Sequence, residues 1–187
     1  MNAAASVGGS GSVRLFCALT LPGDVLDQLV AWQAGLPPGG YRLVPRENLH
    51  LTLAFLGSRP AEDVEPIWAE LQAAAGEVRP IELHERGYRE TRSVGMLLFD
   101  DVDGAAGEFA RAVQTRLHRI GVYEPERRPW LAHLTVVRFR ERPRIAPPLP
   151  GLGTVVPSGA AVYHSVLRRT GAEYVVLHQV GFVGLEP

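Results

Sequence analysis

The tripeptide His-Leu-Thr occurs twice, at residues 50–52 and 133–135, and both copies lie in apolar runs. The first run is Asn48-Leu49-His50-Leu51-Thr52-Leu53-Ala54-Phe55-Leu56. The second is Leu131-Ala132-His133-Leu134-Thr135-Val136-Val137-Arg138-Phe139. With seven Thr and six His among 187 residues, composition alone gives about 0.2 His-x-Thr matches. Two copies with the same middle residue and the same apolar setting point to an internal repeat. On a β-strand, side chains alternate between faces, so His50 and Thr52 share one face, roughly 6–7 Å apart along the chain. Leu51 and Leu53 then face the core, and His133 and Thr135 share a face backed by Leu134 and Val136. A buried imidazole or hydroxyl without a partner is costly, so the polar faces are expected to line a groove.

If a pseudo-twofold axis relates the two halves, both His-Thr pairs can face one cleft. Two imidazoles and two hydroxyls converging on one volume suit a phosphate. The hydroxyls can donate to non-bridging oxygens. One neutral His can take a proton from water while the other, protonated, gives one to the leaving oxygen. In-line displacement needs acid and base on opposite sides of phosphorus. The spacing does not say which His is which.

Composition narrows the alternatives. Apolar residues make up 46% of the chain, enough for a packed core, and the formal charge is -1. That balance argues against a broad duplex binder, which would be strongly basic. Every basic side chain is Arg, with no Lys anywhere. This excludes a Lys nucleophile, a Schiff base and a P-loop. The lone Cys17 permits no internal disulfide and reads as a buried strand residue. No apolar run reaches the ~18 residues of a membrane span. Residues 1–12 read as a flexible Ala/Gly/Ser tail without the basic start of a signal peptide. The expectation is a cytoplasmic monomer with residues 13–187 forming one domain.

Periodicity gives a strand over 13–20 and a helix over 24–34, capped by Asp24, with Val25, Leu26, Leu29, Val30 and Ala34 on its apolar face. An extended piece at 41–44 and a strand at 49–56 follow. Further on, the pattern predicts a helix at 61–75, strands at 79–87 and 94–101, a helix at 105–120 and a strand at 130–139. A Pro- and Arg-rich loop covers 140–153. Strands at 160–168 and 173–180 are joined by a turn at 169–171. Mixed strands and helices without strict alternation indicate an α+β fold with largely antiparallel sheet.

These motifs resemble the two-histidine phosphoesterase superfamily, and within it the RNA 2′,3′-cyclic phosphodiesterases, also called 2′-5′ RNA ligases. The resemblance spans nearly the whole chain. It includes Arg14-Leu15-Phe16-Cys17-Ala18-Leu19, the two His-x-Thr runs, and Ser165-Val166-Leu167 with Gly171, Tyr174 and Leu177. It implies a bilobal, pseudo-twofold α+β fold, with two sheets flanking a central groove and helices outside. It also implies hydrolysis of a 2′,3′-cyclic phosphate at an RNA 3′ end to a 2′-phosphate, without metal or other cofactor. His50 would be the proton donor, His133 the proton acceptor, and Thr52 and Thr135 the phosphate holders. Arg138, five residues after His133, would contact substrate, although alternation turns it away from the groove unless a bulge intervenes. The matching Phe55 could stack on a base but reads as core. Ala132 stands where the family often has Pro, and 88–98 departs from the family pattern. Alternatives that keep the groove are a 2′-5′ linked oligonucleotide, a small cyclic nucleotide, ligation, or an RNA-end binding module without turnover.

Other features are weaker. His84, His118, His164 and His178 have no metal-ligand spacing. Asp100-Asp101-Val102-Asp103-Gly104 resembles part of a calcium loop but lacks the downstream Glu, and reads as a strand end and helix cap. Arg86, Arg89, Arg92 and the Arg residues between 138 and 144 could guide an RNA end or simply form a solvated face.

Overall fold

A computed structural model of the chain describes residues 11–169 and 171–182. Nine strands and three α-helices occur among them, with two short 3₁₀ turns. In chain order they are β1 (Ser12–Thr20), α1 (Gly23–Ala34), β2 (Tyr41–Leu43), β3 (Leu51–Pro60), α2 (Val64–Ala75), β4 (Leu83–Glu90), β5 (Val94–Asp101), α3 (Ala105–Arg119), β6 (His133–Phe139), β7 (Thr154–Val155), β8 (Gly159–Arg168) and β9 (Gly171–Gly181).

The strands form two antiparallel sheets, in the orders β3-β1-β8-β9 and β2-β6-β5-β4-β7. The fold is therefore α+β with two sheets, as expected. The unit β1–α1–β3 in the first sheet has its counterpart β5–α3–β6 in the second, and each unit ends on a His-x-Thr strand. Helix α2 packs on β8 and β9, and α3 packs on α2, β3 and β5. One continuous core joins these layers, including Leu15, Leu19, Leu51, Leu53, Ile67, Leu71, Leu97, Val113, Leu117, Leu134 and Val136. Cys17 is fully buried in it, and burial pushes its thiol up to about 12.

Several boundaries shift from the sequence reading. Helix α1 begins at Gly23 behind Pro22, so Asp24 sits inside the first turn and makes no capping bond. Its buried residues are Val25, Leu29 and Gln33, whereas Val30 is exposed. The predicted helix at 61–75 opens with a 3₁₀ turn at Ala61–Asp63 before α2. Strand β4 lies at Leu83–Glu90 rather than 79–87, and the second motif strand starts at His133 rather than 130, although the Ala132 carbonyl already accepts from Phe99 N at 3.0 Å. Strand β9 is longer than predicted, and Thr170 of the predicted turn lies outside the described residues. So do residues 1–10 of the predicted tail; Ser12 already pairs with Pro60.

The acidic run at 100–103 acts as a cap. Both carboxylate oxygens of Asp101 accept from the start of α3, from Ala106 N at 3.1 Å and Gly107 N at 2.7 Å. Gly104 makes the preceding turn at φ 72°, a backbone region that suits glycine. No helix among the described residues is long and apolar enough to cross a membrane.

Candidate active site

His50, Thr52, His133 and Thr135 line a single groove of about 700 Å³. Leu51, Leu53, Leu134 and Val136 are buried behind them, as alternation requires. Both imidazoles are oriented the same way. His50 Nδ1–H donates to the carbonyl of Asn48 at 2.8 Å, and His133 Nδ1–H donates to the carbonyl of Leu131 at 2.8 Å. In each motif the acceptor is the residue two positions before the histidine. This bond fixes the tautomer and leaves Nε2 as the reactive atom. His50 Nε2 lies 3.1 Å from Thr52 Oγ1.

The two imidazoles differ in their surroundings. His50 sits among Phe16, Tyr163 and Tyr174, with ring centroids at 4.8, 5.7 and 5.4 Å. Burial in this nest is the main reason its pKa falls to about 4, and the charge of Arg138 and the neighbouring His133 push the same way. Its bond to Asn48 opposes the shift only in part. His50 is therefore uncharged at neutral pH.

Asn48 anchors the nest. It is buried, its Nδ2 donates to the Ala172 carbonyl at 2.8 Å, and its Oδ1 accepts from Tyr174 N at 3.3 Å. One residue thus holds the His50 ring by its main chain and β9 by its side chain. Trp130 Nε1 donates to the Thr52 carbonyl at 2.8 Å and ties the approach to β6 to the first motif.

Arg138 lines the groove. The β5–β6 ladder pairs Met96 with Thr135 and Gly95 with Val137, so Val136 is skipped. That bulge resets the alternation: Val136 and Val137 are both buried, and Arg138 emerges on the same side as His133 and Thr135. Gly95 makes room for it, since a Cβ there would collide with Val137 Cγ2 and Tyr88 Oη. Strand β3 repeats the device. Ala18 pairs with Thr52 and Cys17 with Ala54, so Leu53 is skipped. Phe55 consequently turns out of the core, 49% exposed and in the groove, which corrects its sequence assignment. The Arg14 guanidinium lies over its ring, 4.8 Å from the centroid.

The other arginines of the groove are Arg14, Arg42 and Arg168, none of which the sequence reading singled out. Arg86, Arg89, Arg92, Arg140, Arg142 and Arg144 do not line it. Arg86 pairs with Asp100, and Arg142 with the buried Glu90, whose carboxylate also accepts from Arg144 N and Ile145 N. Arg142 thus helps hold the 140–153 loop, and Arg86 makes a surface pair. His118 is exposed and binds the Tyr123 carbonyl. Among the described residues, no cluster of three or more His, Cys, Asp or Glu could hold a metal ion.

Two sheets meeting at a groove with paired His-x-Thr strands define the phosphoesterase class. Residues 19–91 match the family described as LigT like Phosphoesterase. The chain is 32% identical over 171 residues to the RNA 2′,3′-cyclic phosphodiesterase of Escherichia coli, covering 88% of this chain and 93% of that protein. It is also 32% identical over 182 residues to the RNA 2′,3′-cyclic phosphodiesterase of Thermus thermophilus, covering 92% of this chain and 91% of that one. The crystal structure of E. coli LigT complexed with 3′-AMP aligns with a TM-score of 0.73 at 25% identity, over 91% of this chain and 98% of that one. The chain belongs to the LigT-like phosphoesterase family.

Proposed function

We propose that this chain hydrolyses the 2′,3′-cyclic phosphate at RNA 3′ ends to a 2′-phosphate, by acid/base catalysis between two histidines without a metal. The observation that carries this reading is that His50, Thr52, His133 and Thr135, from the two motif runs, line one groove, with Nδ1 of each imidazole bound to the backbone and Nε2 left for chemistry. The relatives named RNA 2′,3′-cyclic phosphodiesterase support the substrate class. The neighbour with bound 3′-AMP supports a nucleotide in the groove.

In this mechanism the cyclic phosphate lies between the imidazoles, with Thr52 and Thr135 donating to its non-bridging oxygens. His133 Nε2 removes a proton from the attacking water as the P–O bond forms. The bond from phosphorus to the 3′ oxygen breaks, and protonated His50 gives that oxygen its proton. The products are a 2′-phosphate and a free 3′-hydroxyl. His50 is uncharged before substrate binds, so it must take up a proton from solvent as the anion binds. The phosphodiester anion, placed against Nε2, favours the charged imidazole. Arg138 supplies a fixed positive charge to the same phosphate, and Phe55 offers a face on which the terminal base can stack.

The depressed pKa of His50 also favours a second reading, in which His50 is the base and His133 the acid. A substrate whose leaving 3′ oxygen is replaced by sulfur separates the two, because a thiolate leaves without a proton. On that substrate, the alanine variant of the acid regains most of its activity and that of the base does not. Rescue of His50→Ala supports the proposed roles; rescue of His133→Ala reverses them. An RNA product ending in a 3′-phosphate contradicts the proposed bond cleavage in either case.

A further inference from the structure

The two bulges share a further feature. Gln33 Nε2, at the end of α1, donates to the Val136 carbonyl at 2.7 Å and to the Val44 carbonyl at 3.0 Å. Gln114 Nε2, in α3, donates to the Leu53 carbonyl at 2.7 Å. Val136 and Leu53 are the residues their ladders skip, each three positions after its histidine. The arrangement is crossed: α1 precedes the first motif and binds the strand of the second, while α3 precedes the second and binds the strand of the first.

A bulge leaves its extra residue outside the regular ladder. A buried carbonyl without a donor costs about 1–3 kcal/mol, and Gln114 gives the Leu53 carbonyl its donor. The Val136 carbonyl also accepts from Val44 N at 2.9 Å, and Gln33 supplies its second bond. Gln33 is itself buried, a costly place for an amide unless its bonds are made. A regular strand would place Arg138 and Phe55 on the core side, opposite the His-Thr face.

Building on the proposed function, we infer that Gln33 and Gln114 are positioning residues. Gln33 holds the bulge that turns Arg138 toward the phosphate, and Gln114 holds the bulge that turns Phe55 toward the base. Neither touches the reacting atoms. His133 and its bond to Leu131 lie before the bulge, so removing Gln33 should affect substrate binding more than turnover.

The test uses Gln33→Met and Gln114→Met, which keep side-chain length but remove the donor. Crystal structures are read first. Arg138 is expected to leave the groove in Gln33→Met, and Phe55 in Gln114→Met, with both imidazoles in place. Unchanged Arg138 and Phe55 overturn the inference. KM for an RNA end carrying a 2′,3′-cyclic phosphate is measured next. Gln33→Met should raise it on the order of 10- to 100-fold, the range of a lost charge-assisted contact, with kcat within a few-fold. Adding Gln33→Met to Arg138→Ala should then raise KM no further. Additive losses, or equal losses in kcat, would reduce Gln33 to a structural role and overturn the inference. Should the wild type fail to turn over this RNA, the proposed function falls, and the crystal structures still decide the inference. Gln114 is only half-buried, so Gln114→Met carries the test if Gln33→Met does not fold.

Discussion

Trp130 Nε1 donates to the Thr52 carbonyl at 2.8 Å, so the chain leading into the second motif is fastened to the backbone of the first. The two His-x-Thr strands belong to different sheets, and this bond ties the approach to one of them to the other. Trp130→Phe keeps an aromatic ring and removes the donor. It should cost about 0.5–1.5 kcal/mol of stability, lowering Tm by roughly 1–6 °C for a chain of this size. Thermal unfolding checks this; an unchanged Tm would mean the tether is not needed to hold the sheets together.

Asn48 joins β9 to the His50 ring through three hydrogen bonds. Asn48→Leu leaves the His50 contact to a main-chain carbonyl but removes both side-chain bonds from a buried position. The expected cost is about 1–3 kcal/mol, read in a urea titration. A loss in kcat should accompany it, because the Tyr174 wall of the nest is released. Full activity would show that the nest does not depend on this residue.

Phe55→Ala should leave stability nearly unchanged, since the ring is half-exposed, within about 0.5 kcal/mol. If the ring stacks on the terminal base, KM should rise by roughly 5- to 150-fold, the worth of about 1–3 kcal/mol per stacked base. The comparison is steady-state kinetics of the two proteins on one RNA. An unchanged KM would remove Phe55 from the binding surface.

The pKa of His50, held at about 4 by burial, couples anion binding to proton uptake. Its folded value lies below its unfolded one, so the protein should lose stability as pH falls from about 6.5 to 4, where the unfolded chain binds the extra proton. An anion in the groove favours the charged ring, so anion affinity should rise as pH falls toward about 4 and level off below it. Sulfate keeps its charge across this range and is a suitable probe for calorimetry in buffers of different ionisation heat. His50→Ala should flatten the dependence. A pH-independent affinity in the wild type would contradict the linkage.

Much of the site was legible because a strand with polar residues two apart states its own faces: the burial of Leu51, Leu53, Leu134 and Val136 fixes the outlook of His50, Thr52, His133 and Thr135. Alternation failed at Phe55, since the bulge at Leu53 lies in the pairing with β1 and its carbonyl is bonded by Gln114 on a distant helix, neither of which is local in sequence. Gln33 escapes a sequence reading for a related reason. Its helix position carries the core-facing period, but a polar side chain there reads as a helix edge until its two carbonyl partners are seen. Asn48, Phe16 and Tyr174 come together from the first motif, β1 and β9, and nothing local marks them as neighbours. A signal was available for Phe55 and Arg138: both stand five residues after a motif histidine, and the repeat itself called for equal treatment.

The most direct test is hydrolysis of a short RNA ending in a 2′,3′-cyclic phosphate, with EDTA present, by wild type, His50→Ala and His133→Ala. The account predicts metal-independent turnover by the wild type to a 2′-phosphate, and a loss of about 10²-fold or more in each variant. Turnover that survives both substitutions, or that EDTA abolishes in the wild type, would contradict it.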